Sequence, residues 1–373
     1  MRYLIATDSF KDALPAAEVC AAIARGLRLG DPSASTVLLP LADGGEGTAE
    51  VLTTLTQGEQ IHCRVCDPLG RPVEAHYGWQ TTSKTAFIDM AAASGLQLLQ
   101  PEERNPMLTS TYGTGELIRD AVSRGAAKIV LGIGGSATND GGMGMAIALG
   151  HQFLDAEGER LSGTGADLQK VSKWLPTKEV LPAVEVLCDV DNPLCGPDRG
   201  AAYVYGPQKG ATPEQVVQLD QGLEQLAAIV QQKTGGAFAS VPGAGAAGGL
   251  GFGALAFLAA SLRSGIQTVL EYAAFDQHLA NCDVVITGEG KLDDQTLQGK
   301  LIQGLCSRAA AQQKPVIALC GAMLASPEAI RAIGLKAAFS IQTQPRSLAE
   351  ALQLTAVDLA GTAFQVGRLL KKG

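Results

Sequence analysis

Short apolar segments that end in polar, glycine-containing turns and lead into helical patterns occur at both ends of this chain. Near the start, the strand-like Tyr3–Ala6 is followed by a polar turn and then by apolar residues at helical spacing. Near the end, strand-like segments occur at residues 283–286, 316–319 and 337–341. Strands that alternate with helices predict a parallel sheet covered by helices on both faces. We therefore expect a Rossmann-like α/β domain formed by both ends of the chain.

The middle of the chain has a different pattern. Residues 61–90 alternate as antiparallel strands do and contain a Pro-Leu-Gly turn. At roughly 150 residues per domain, a chain of 373 residues is long enough for two domains. We predict a discontinuous domain of residues 1–64 and 281–373, an inserted α/β domain of residues 65–280, and an active-site cleft between them.

Charge and hydropathy argue against several classes of protein. The chain has 29 Lys and Arg against 37 Asp and Glu, and this net charge of −8 argues against nucleic acid or an anionic membrane surface as the main partner. The longest uncharged stretch, Thr234–Leu262, is rich in glycine, so we interpret it as a glycine loop leading into a buried helix rather than a membrane span. The opening apolar run is too short for a signal peptide, and eight scattered cysteines indicate reduced thiols, so we expect a cytoplasmic protein. The sequence leaves the oligomeric state open.

The most specific motif occurs twice. Asp43–Gly47 and Asp140–Gly144 both read D-G-G-x-G, and each follows a strand-like run and precedes a helical pattern. Glycines in such a turn leave backbone N–H groups free to bind an anion, and the positive end of the next helix assists them. The aspartate could hold magnesium or accept a hydrogen bond from a ligand hydroxyl. The alternative is two tight turns in which the aspartate caps the local backbone.

The second copy is preceded by Gly132–Ala137, which formally matches the dinucleotide fingerprint G-x-G-x-x-A. However, the following Asn139–Gly142 would break the helix that this fingerprint requires. We therefore predict a phosphate or carboxylate cradle in which Ser136, Thr138 and Asn139 donate hydrogen bonds. A dinucleotide-dependent oxidoreductase acting on a hydroxy acid remains the alternative enzyme.

Further polar residues follow strand-like runs, where open α/β sheets bind their ligands. Asp189 and Asp191 are two positions apart, and in an extended segment their carboxylates would share a face suited to magnesium or to a general base. Thr287–Asp293 is predicted to be a charged glycine turn after a buried strand. The glycine-rich Pro242–Gly251 is a further cradle or, alternatively, a hinge or close helix contact. Lys11 follows the first strand and could meet a phosphate.

Several well-known catalytic motifs are missing. The sequence contains no G-x-x-x-x-G-K-[ST], no H-R-D or D-F-G, no H-E-x-x-H and no G-x-S-x-G. Acids, a few lysines at strand ends and glycine loops remain. These residue types suit phosphoryl transfer, in which the protein mainly positions two substrates and neutralises charge.

Taken together, these motifs resemble those of the type 1 glycerate kinase family over essentially the whole chain. The stretches that carry the resemblance are DSFKDAL (8–14), ADGGEGT (42–48), TGEL (114–117), GIGGSATNDGGMG (132–144), CDVDNPLCG (188–196), YGPQKG (205–210), PGAGAAGGLG (242–251), SGI (264–266) and ITGEGKLD (286–293). The resemblance implies a two-domain α/β kinase that uses ATP and Mg²⁺ to phosphorylate D-glycerate, giving 2-phosphoglycerate rather than 3-phosphoglycerate, in glyoxylate and glycerate metabolism. The family more often has Arg at the position of Lys291.

We accordingly expect Lys11 and Lys291 to hold phosphate, and Asp189 and Asp191 to provide the metal ligands and the general base. The other residues expected to bind substrate or nucleotide are Asp8, Ser9, Asp43, Gly44, Gly45, Glu46, Gly134, Gly135, Ser136, Thr138, Asn139, Asp140, Gly245, Gly248, Glu289 and Asp293. The partners expected are the small molecules glycerate and ATP. The non-enzymatic alternative is a sensor that binds a sugar acid.

Overall fold

The computed structural model describes residues 1–42, 44–45, 47–293 and 301–371. The strands of this described part are β1 (Arg2–Thr7), β2 (Ser35–Pro40), β3 (Glu59–Cys66), β4 (Pro72–Gln80), β5 (Thr85–Asp89), β6 (Lys128–Gly132), β7 (Gln152–Leu154), β8 (Lys173–Leu175), β9 (Ala183–Leu187), β10 (Ser261–Arg263), β11 (Val284–Leu292), β12 (Val316–Met323) and β13 (Ala337–Ser340). The α-helices are α1 (Ala16–Gly30), α2 (Thr48–Leu55), α3 (Ala91–Ser94), α4 (Tyr112–Ser123), α5 (Met143–Ala148), α6 (Ala201–Tyr205), α7 (Pro213–Thr234), α8 (Ala246–Phe257), α9 (Gly265–Tyr272), α10 (Phe275–Ala280), α11 (Leu301–Ala311), α12 (Pro327–Ala332) and α13 (Leu348–Leu370).

The chain divides into two compact units. Unit 1 contains both chain ends, Met1–Asp43 and Ile266–Gly373, and unit 2 contains Gly44–Gly265. The boundaries of these units therefore fall at 43/44 and 265/266, compared with 64/65 and 280/281 in the division made from the sequence.

Unit 1 has a five-stranded parallel sheet in the order β13-β12-β11-β1-β2. The chain starts at β1, adds β2 on one side and then adds β11 to β13 on the other, so the winding direction reverses between β1 and β11. Apolar residues at helical spacing give α1 one buried face, and this face joins the sheet and α13 in a single core. The predicted α/β class with a parallel sheet is confirmed.

Unit 2 has a six-stranded mixed sheet in the order β10-β9-β6-β5-β4-β3. The β3, β4 and β5 strands pair antiparallel, as the alternation over residues 61–90 predicts, whereas β5, β6, β9 and β10 are parallel. One core lies against this sheet, and a second core joins α5, α7 and α8 through Met143, Leu223 and Phe252. The carboxyl ends of the four parallel strands therefore share one edge of the sheet.

The predicted turn at Thr287–Asp293 is wrong, because β11 continues through this segment to Leu292. Residues from Thr287 to Leu292 pair in parallel with β12. Here the glycines permit close packing within the sheet: a Cβ on Gly288 would lie 2.3 Å from the carbonyl oxygen of Leu319. Strand geometry then places alternate residues on one side, so Glu289 and Lys291 share a face.

The uncharged stretch Thr234–Leu262 contains the buried helix α8, as predicted. Within the described residues, no helix has the length and apolar character needed to cross a membrane. All eight cysteines are free thiols, four of them fully buried.

Candidate functional site

Polar and glycine residues of unit 2 collect at the carboxyl edge of its four parallel strands. The β5 and β6 strands end in Asp89 and Gly132, Asp189 follows β9, and Ser264 follows β10. Gly44, from the first D-G-G-x-G turn, also reaches this edge: a Cβ on this residue would lie 2.7 Å from Gly265 Cα and 3.1 Å from Asp189 Oδ2. Because the Gly44 φ is +93°, the backbone there favours glycine as well. The structure thus brings together three motifs that are far apart in the sequence.

Asp189 and Asp191 have different surroundings. Asp189 Oδ1 accepts hydrogen bonds from Ser264 Oγ at 2.7 Å and from the Gly265 amide at 3.1 Å. Asp191 is exposed and forms an ion pair with Arg199, whose guanidinium lowers the pKa of Asp191. Ser264 and Gly265 therefore hold Asp189 in place at the sheet edge, whereas Asp191 is paired with the exposed Arg199.

The first D-G-G-x-G turn is held by a residue that the sequence analysis missed. Asp89 Oδ2 accepts hydrogen bonds from the Gly47 amide at 2.9 Å and from the Ala49 amide at 3.2 Å. This carboxylate caps the N-terminus of α2, so these amides bind a protein group rather than an anionic ligand. The signal that could have found it is an aspartate that ends a buried strand. Asp43 and Glu46 of this turn lie outside the described residues, while Gly45 lies within them.

The second D-G-G-x-G turn is held by its own aspartate. Asp140 is completely buried, and its carboxylate accepts hydrogen bonds from the Thr111 amide at 2.8 Å, Thr111 Oγ1 at 2.7 Å, the Gly142 amide at 3.0 Å and the Gly144 amide at 3.1 Å. Burial raises the pKa of Asp140, and these hydrogen bonds act in the opposite direction. This geometry is that of the local backbone cap, the alternative interpretation of the motif.

The loop before this turn rests on a buried lysine, which was also missed. Lys209 is 2% exposed, and its Nζ donates to Ser136 Oγ at 3.3 Å and to the carbonyl oxygen of Thr138 at 2.5 Å. Burial lowers the pKa of Lys209 to about 7, opposed by the charge of Asp140. The sequence offered no signal for this burial, because a lysine is normally expected at the surface.

The same loop lacks the helix that a dinucleotide fingerprint requires. After β6, the chain runs without helical structure from Ile133 to Gly142, and α5 begins only at Met143. Gly134 and Gly135 are the accessible part of this loop, whereas residues 136–140 are buried. The backbone of Gly134 and Gly135 is therefore the part that can meet a ligand without rearrangement.

The glycines of Pro242–Gly251 serve close packing of backbone. A Cβ on Gly248 (φ +69°) would lie 2.0 Å from the Thr138 carbonyl oxygen, and a Cβ on Gly245 would lie 2.2 Å from the Pro193 carbonyl oxygen. The Gly141 amide also donates to the Gly248 carbonyl at 3.1 Å. Both predicted residues are buried, so the structure places them as supports of the neighbouring loops.

The candidate residues of unit 1 lie at the carboxyl ends of β1 and β11. Asp8, Ser9 and Lys11 follow β1, and Ser9 and Lys11 are exposed. A Cβ on Gly290 of β11 would lie 3.6 Å from the Lys11 amide nitrogen, so the two segments are adjacent. This is where the winding of the sheet reverses, the position at which open α/β sheets bind ligands.

Three charged residues lie at alternate positions at the carboxyl end of β11 and directly after it. Glu289, Lys291 and Asp293 are spaced two apart, and Lys291 Nζ lies 2.7 Å from Asp293 Oδ2. Lys291 is 58% exposed and therefore accessible to an anionic ligand.

The described residues contain no group of three or more His, Cys, Asp or Glu side chains that could enclose a metal ion. Mg²⁺ that is bound by nucleotide phosphates and water needs only one or two protein carboxylates. Asp189, Glu289 and Asp293 are single carboxylates at the sheet edges and fit this mode of binding. Asp191, which is paired with Arg199, fits it less well.

Comparison with known proteins gives a consistent result. Residues 3–371 match the model of the glycerate kinase family. A glycerate kinase of Haemophilus influenzae is 45% identical, with 99% of each chain covered, and a glycerate 2-kinase of Escherichia coli is 43% identical over 95% of this chain and 93% of its own. A crystal structure of a protein described as glycerate kinase 2 from Salmonella typhimurium LT2 has a TM-score of 0.87 and 42% identity, covering 99% of this chain and 98% of that one.

Proposed function

The chain belongs to the glycerate kinase family, and from that premise we propose that it transfers the γ-phosphoryl group of ATP to the C2 hydroxyl of D-glycerate, giving 2-phosphoglycerate and ADP. The observation that carries the choice of hydroxyl is the 43% identity to the Escherichia coli protein named glycerate 2-kinase. Membership of a kinase family argues against the two alternatives, a dinucleotide-dependent oxidoreductase and a sensor that binds a sugar acid. The interpretation is also supported by the placement of polar residues at the carboxyl ends of the parallel strands in both sheets.

Asp189 is our candidate for the general base. Its Oδ1 is fixed by Ser264 and Gly265, and it lies beside Gly44 at the unit 2 edge. A carboxylate in a fixed orientation can accept the proton of the glycerate hydroxyl as that oxygen attacks phosphorus. Asp191 is the second candidate.

Lys11 and Lys291 are our candidates for holding phosphate. Both are exposed at the carboxyl edge of unit 1, and a lysine ammonium is a common point charge for phosphate. When bound, Mg²⁺ would neutralise phosphate charge, and Asp189, Glu289 or Asp293 would hold it. The backbone of Gly134 and Gly135 would bind an anionic group of a substrate.

A coupled assay tests the product. Enolase consumes 2-phosphoglycerate directly, whereas 3-phosphoglycerate must first pass through phosphoglycerate mutase. We expect the enolase-coupled signal with ATP, Mg²⁺ and D-glycerate to be the same with and without mutase. A signal that requires mutase would assign phosphorylation to the C3 hydroxyl instead, and phosphorus NMR of the product would check the assignment.

A pair of variants tests the base. We expect Asp189→Asn to lower kcat by about 10²–10⁴-fold, the usual contribution of general-base catalysis, with little change in KM. Asp191→Asn, two residues away, is the matched control and should change kcat less than about threefold because its carboxylate is paired with Arg199. If the two effects were reversed, Asp191 would be the base.

A further inference from the structure

The Lys209 side chain lies buried against the loop of residues 132–140, and among the described residues it has no direct ion pair. In the part of the chain that the structure describes, the hydrogen-bond partners of Lys209 Nζ are neutral oxygens of Ser136 and Thr138. The charge of Asp140 raises the pKa of Lys209, but the Asp140 carboxylate already accepts four hydrogen bonds from Thr111, Gly142 and Gly144. A buried ammonium is unfavourable unless charge or hydrogen bonds compensate it.

A second observation on the same loop points to a ligand. Asn139 is completely buried, and among the residues that the structure describes neither its Oδ1 nor its Nδ2 has a hydrogen-bond partner. Buried side-chain amides are normally hydrogen-bonded. The Asn139 side-chain amide is therefore able to form further hydrogen bonds. The Lys209 ammonium has no directly paired negative charge among the described residues.

The contact between Lys209 and Ser136 has a chemical consequence. The ammonium donates into Ser136 Oγ, and the Ser136 hydroxyl in turn lies within donating distance of the Ala247 carbonyl oxygen at 3.2 Å and of Thr138 Oγ1 at 3.1 Å. A hydroxyl oxygen that accepts from a cation also becomes a stronger donor. Lys209 thus strengthens the contacts by which Ser136 fixes the loop.

We propose that Lys209 is a positioning residue that holds the 132–140 loop through Ser136 and Thr138 and supplies the buried positive charge for an anionic group of a substrate bound there. The proposal rests on the proposed function, in which this loop meets a substrate. Two substrate groups have the required chemistry: the carboxylate of D-glycerate and the phosphates of ATP. The binding experiments below distinguish them.

Protonation of Lys209 is expected to be coupled to binding. Since its pKa is about 7, the amine is mostly neutral at slightly alkaline pH, and a nearby anion favours the ammonium form. The charge that acts on the pKa of Lys209 is that of Asp140 on the loop. The segment 102–104, which contacts Gly210 through the Arg104 carbonyl oxygen, carries Glu102, Glu103 and Arg104, whereas residues 242–260, which contact the loop through Gly248, carry no charge. Binding of the anion should therefore take up a proton.

The main experiment compares Lys209→Met with Lys233→Met, which removes an exposed lysine of α7. Calorimetry measures the affinity for D-glycerate and for ATP with Mg²⁺, and in parallel for the uncharged counterparts D-glyceramide and adenosine. We expect Lys209→Met to weaken the binding of one of the two anions about tenfold or more. The affinity for the uncharged counterpart of that anion should change less than about twofold. Lys233→Met should leave all four affinities unchanged. Equal weakening of charged and uncharged ligands, or no weakening, would contradict the proposal.

A measurement on the unmodified protein covers the case in which Lys209→Met does not fold. Binding of each anion is measured at slightly alkaline pH in two buffers that differ in ionisation enthalpy. We expect proton uptake with the anion that binds at the loop, and none with either anion would overturn the inference. If the unmodified enzyme phosphorylates D-glycerate but shows no such uptake, only the role of Lys209 fails; if it does not phosphorylate D-glycerate, the proposed function itself fails.

Discussion

The two D-G-G-x-G turns have the same sequence pattern but different constructions. In the first, α2 begins at Thr48, after the motif, and Asp89 from another strand accepts from the Gly47 and Ala49 amides. In the second, α5 begins at Met143, inside the motif, and Asp140 of the motif itself accepts from two of its glycine amides. Among the described residues, the carboxylate that accepts from the turn's amides thus lies on β5 for the first copy and in the motif itself for the second.

The two turns also differ in position: the first lies at the candidate site of unit 2, whereas the aspartate of the second is buried inside that unit. Gly44 of the first copy lies against Asp189 and Gly265 at the unit 2 edge. Asp140 of the second copy is completely buried. The repeated motif therefore reflects two turns that both need glycine backbone and a carboxylate acceptor. It does not by itself indicate two ligand-binding sites.

The largest effect should come from removing the internal carboxylate. Asp140→Ala leaves buried amides of Thr111, Gly142 and Gly144 without an acceptor, so we expect the free energy of unfolding to fall by about 3–5 kcal/mol. Urea denaturation followed by circular dichroism measures the change. Asp140→Asn, which keeps one acceptor oxygen, should cost less. A loss below about 1 kcal/mol for Asp140→Ala would mean that the second turn does not depend on its aspartate.

The last glycine of each motif gives a second, smaller contrast. A Cβ on Gly144 would lie 2.0 Å from Ser110 Oγ and 2.9 Å from the Thr111 amide. A Cβ on Gly47 (φ +85°) would meet no atom of the described residues within 4 Å. We expect Gly144→Ala to destabilise by about 2–3 kcal/mol through overpacking. Gly47→Ala should cost only the backbone strain of about 1–2 kcal/mol. Equal shifts in thermal unfolding would contradict the difference in packing between the two turns.

The order of elements could be predicted because strand and helix patterns are local. The strand-like segments predicted at Tyr3–Ala6 and 337–341 differ from β1 and β13 by one residue at their ends. The prediction of a turn at Thr287–Asp293 is wrong because its glycines, although typical of turns, also permit close packing between strands. What decides their role is the close approach of Gly288 to Leu319, a contact with another strand that the local sequence does not contain.

The candidate site could be predicted only in part, for the same reason. Asp189 and Lys291 follow from the rule that ligands bind at the carboxyl ends of parallel strands. Asp89 was missed because its function depends on the Gly47 amide, 42 positions earlier in the sequence. Lys209 was missed because its burial depends on Ser136, 73 positions away. Residues that act through such contacts have no local signature.

The smallest effect tests the external carboxylate of the first turn. Asp89→Ala removes the acceptor for the Gly47 and Ala49 amides, and loss of a helix cap typically costs about 1–2 kcal/mol. Because these hydrogen bonds are only partly buried, water can replace part of what is lost, which makes the cost smaller than for Asp140→Ala. The effect on kinetics should be more informative than the effect on stability. Gly44 lies beside Asp189, so loosening this turn should disturb the position of the proposed base. We expect kcat/KM for D-glycerate to fall by more than tenfold, while the protein remains folded at the assay temperature. Asp89→Asn, which keeps an acceptor, is the control and should recover most of the activity. Unchanged kinetics in Asp89→Ala would mean that the first turn, like the second, only supports the fold.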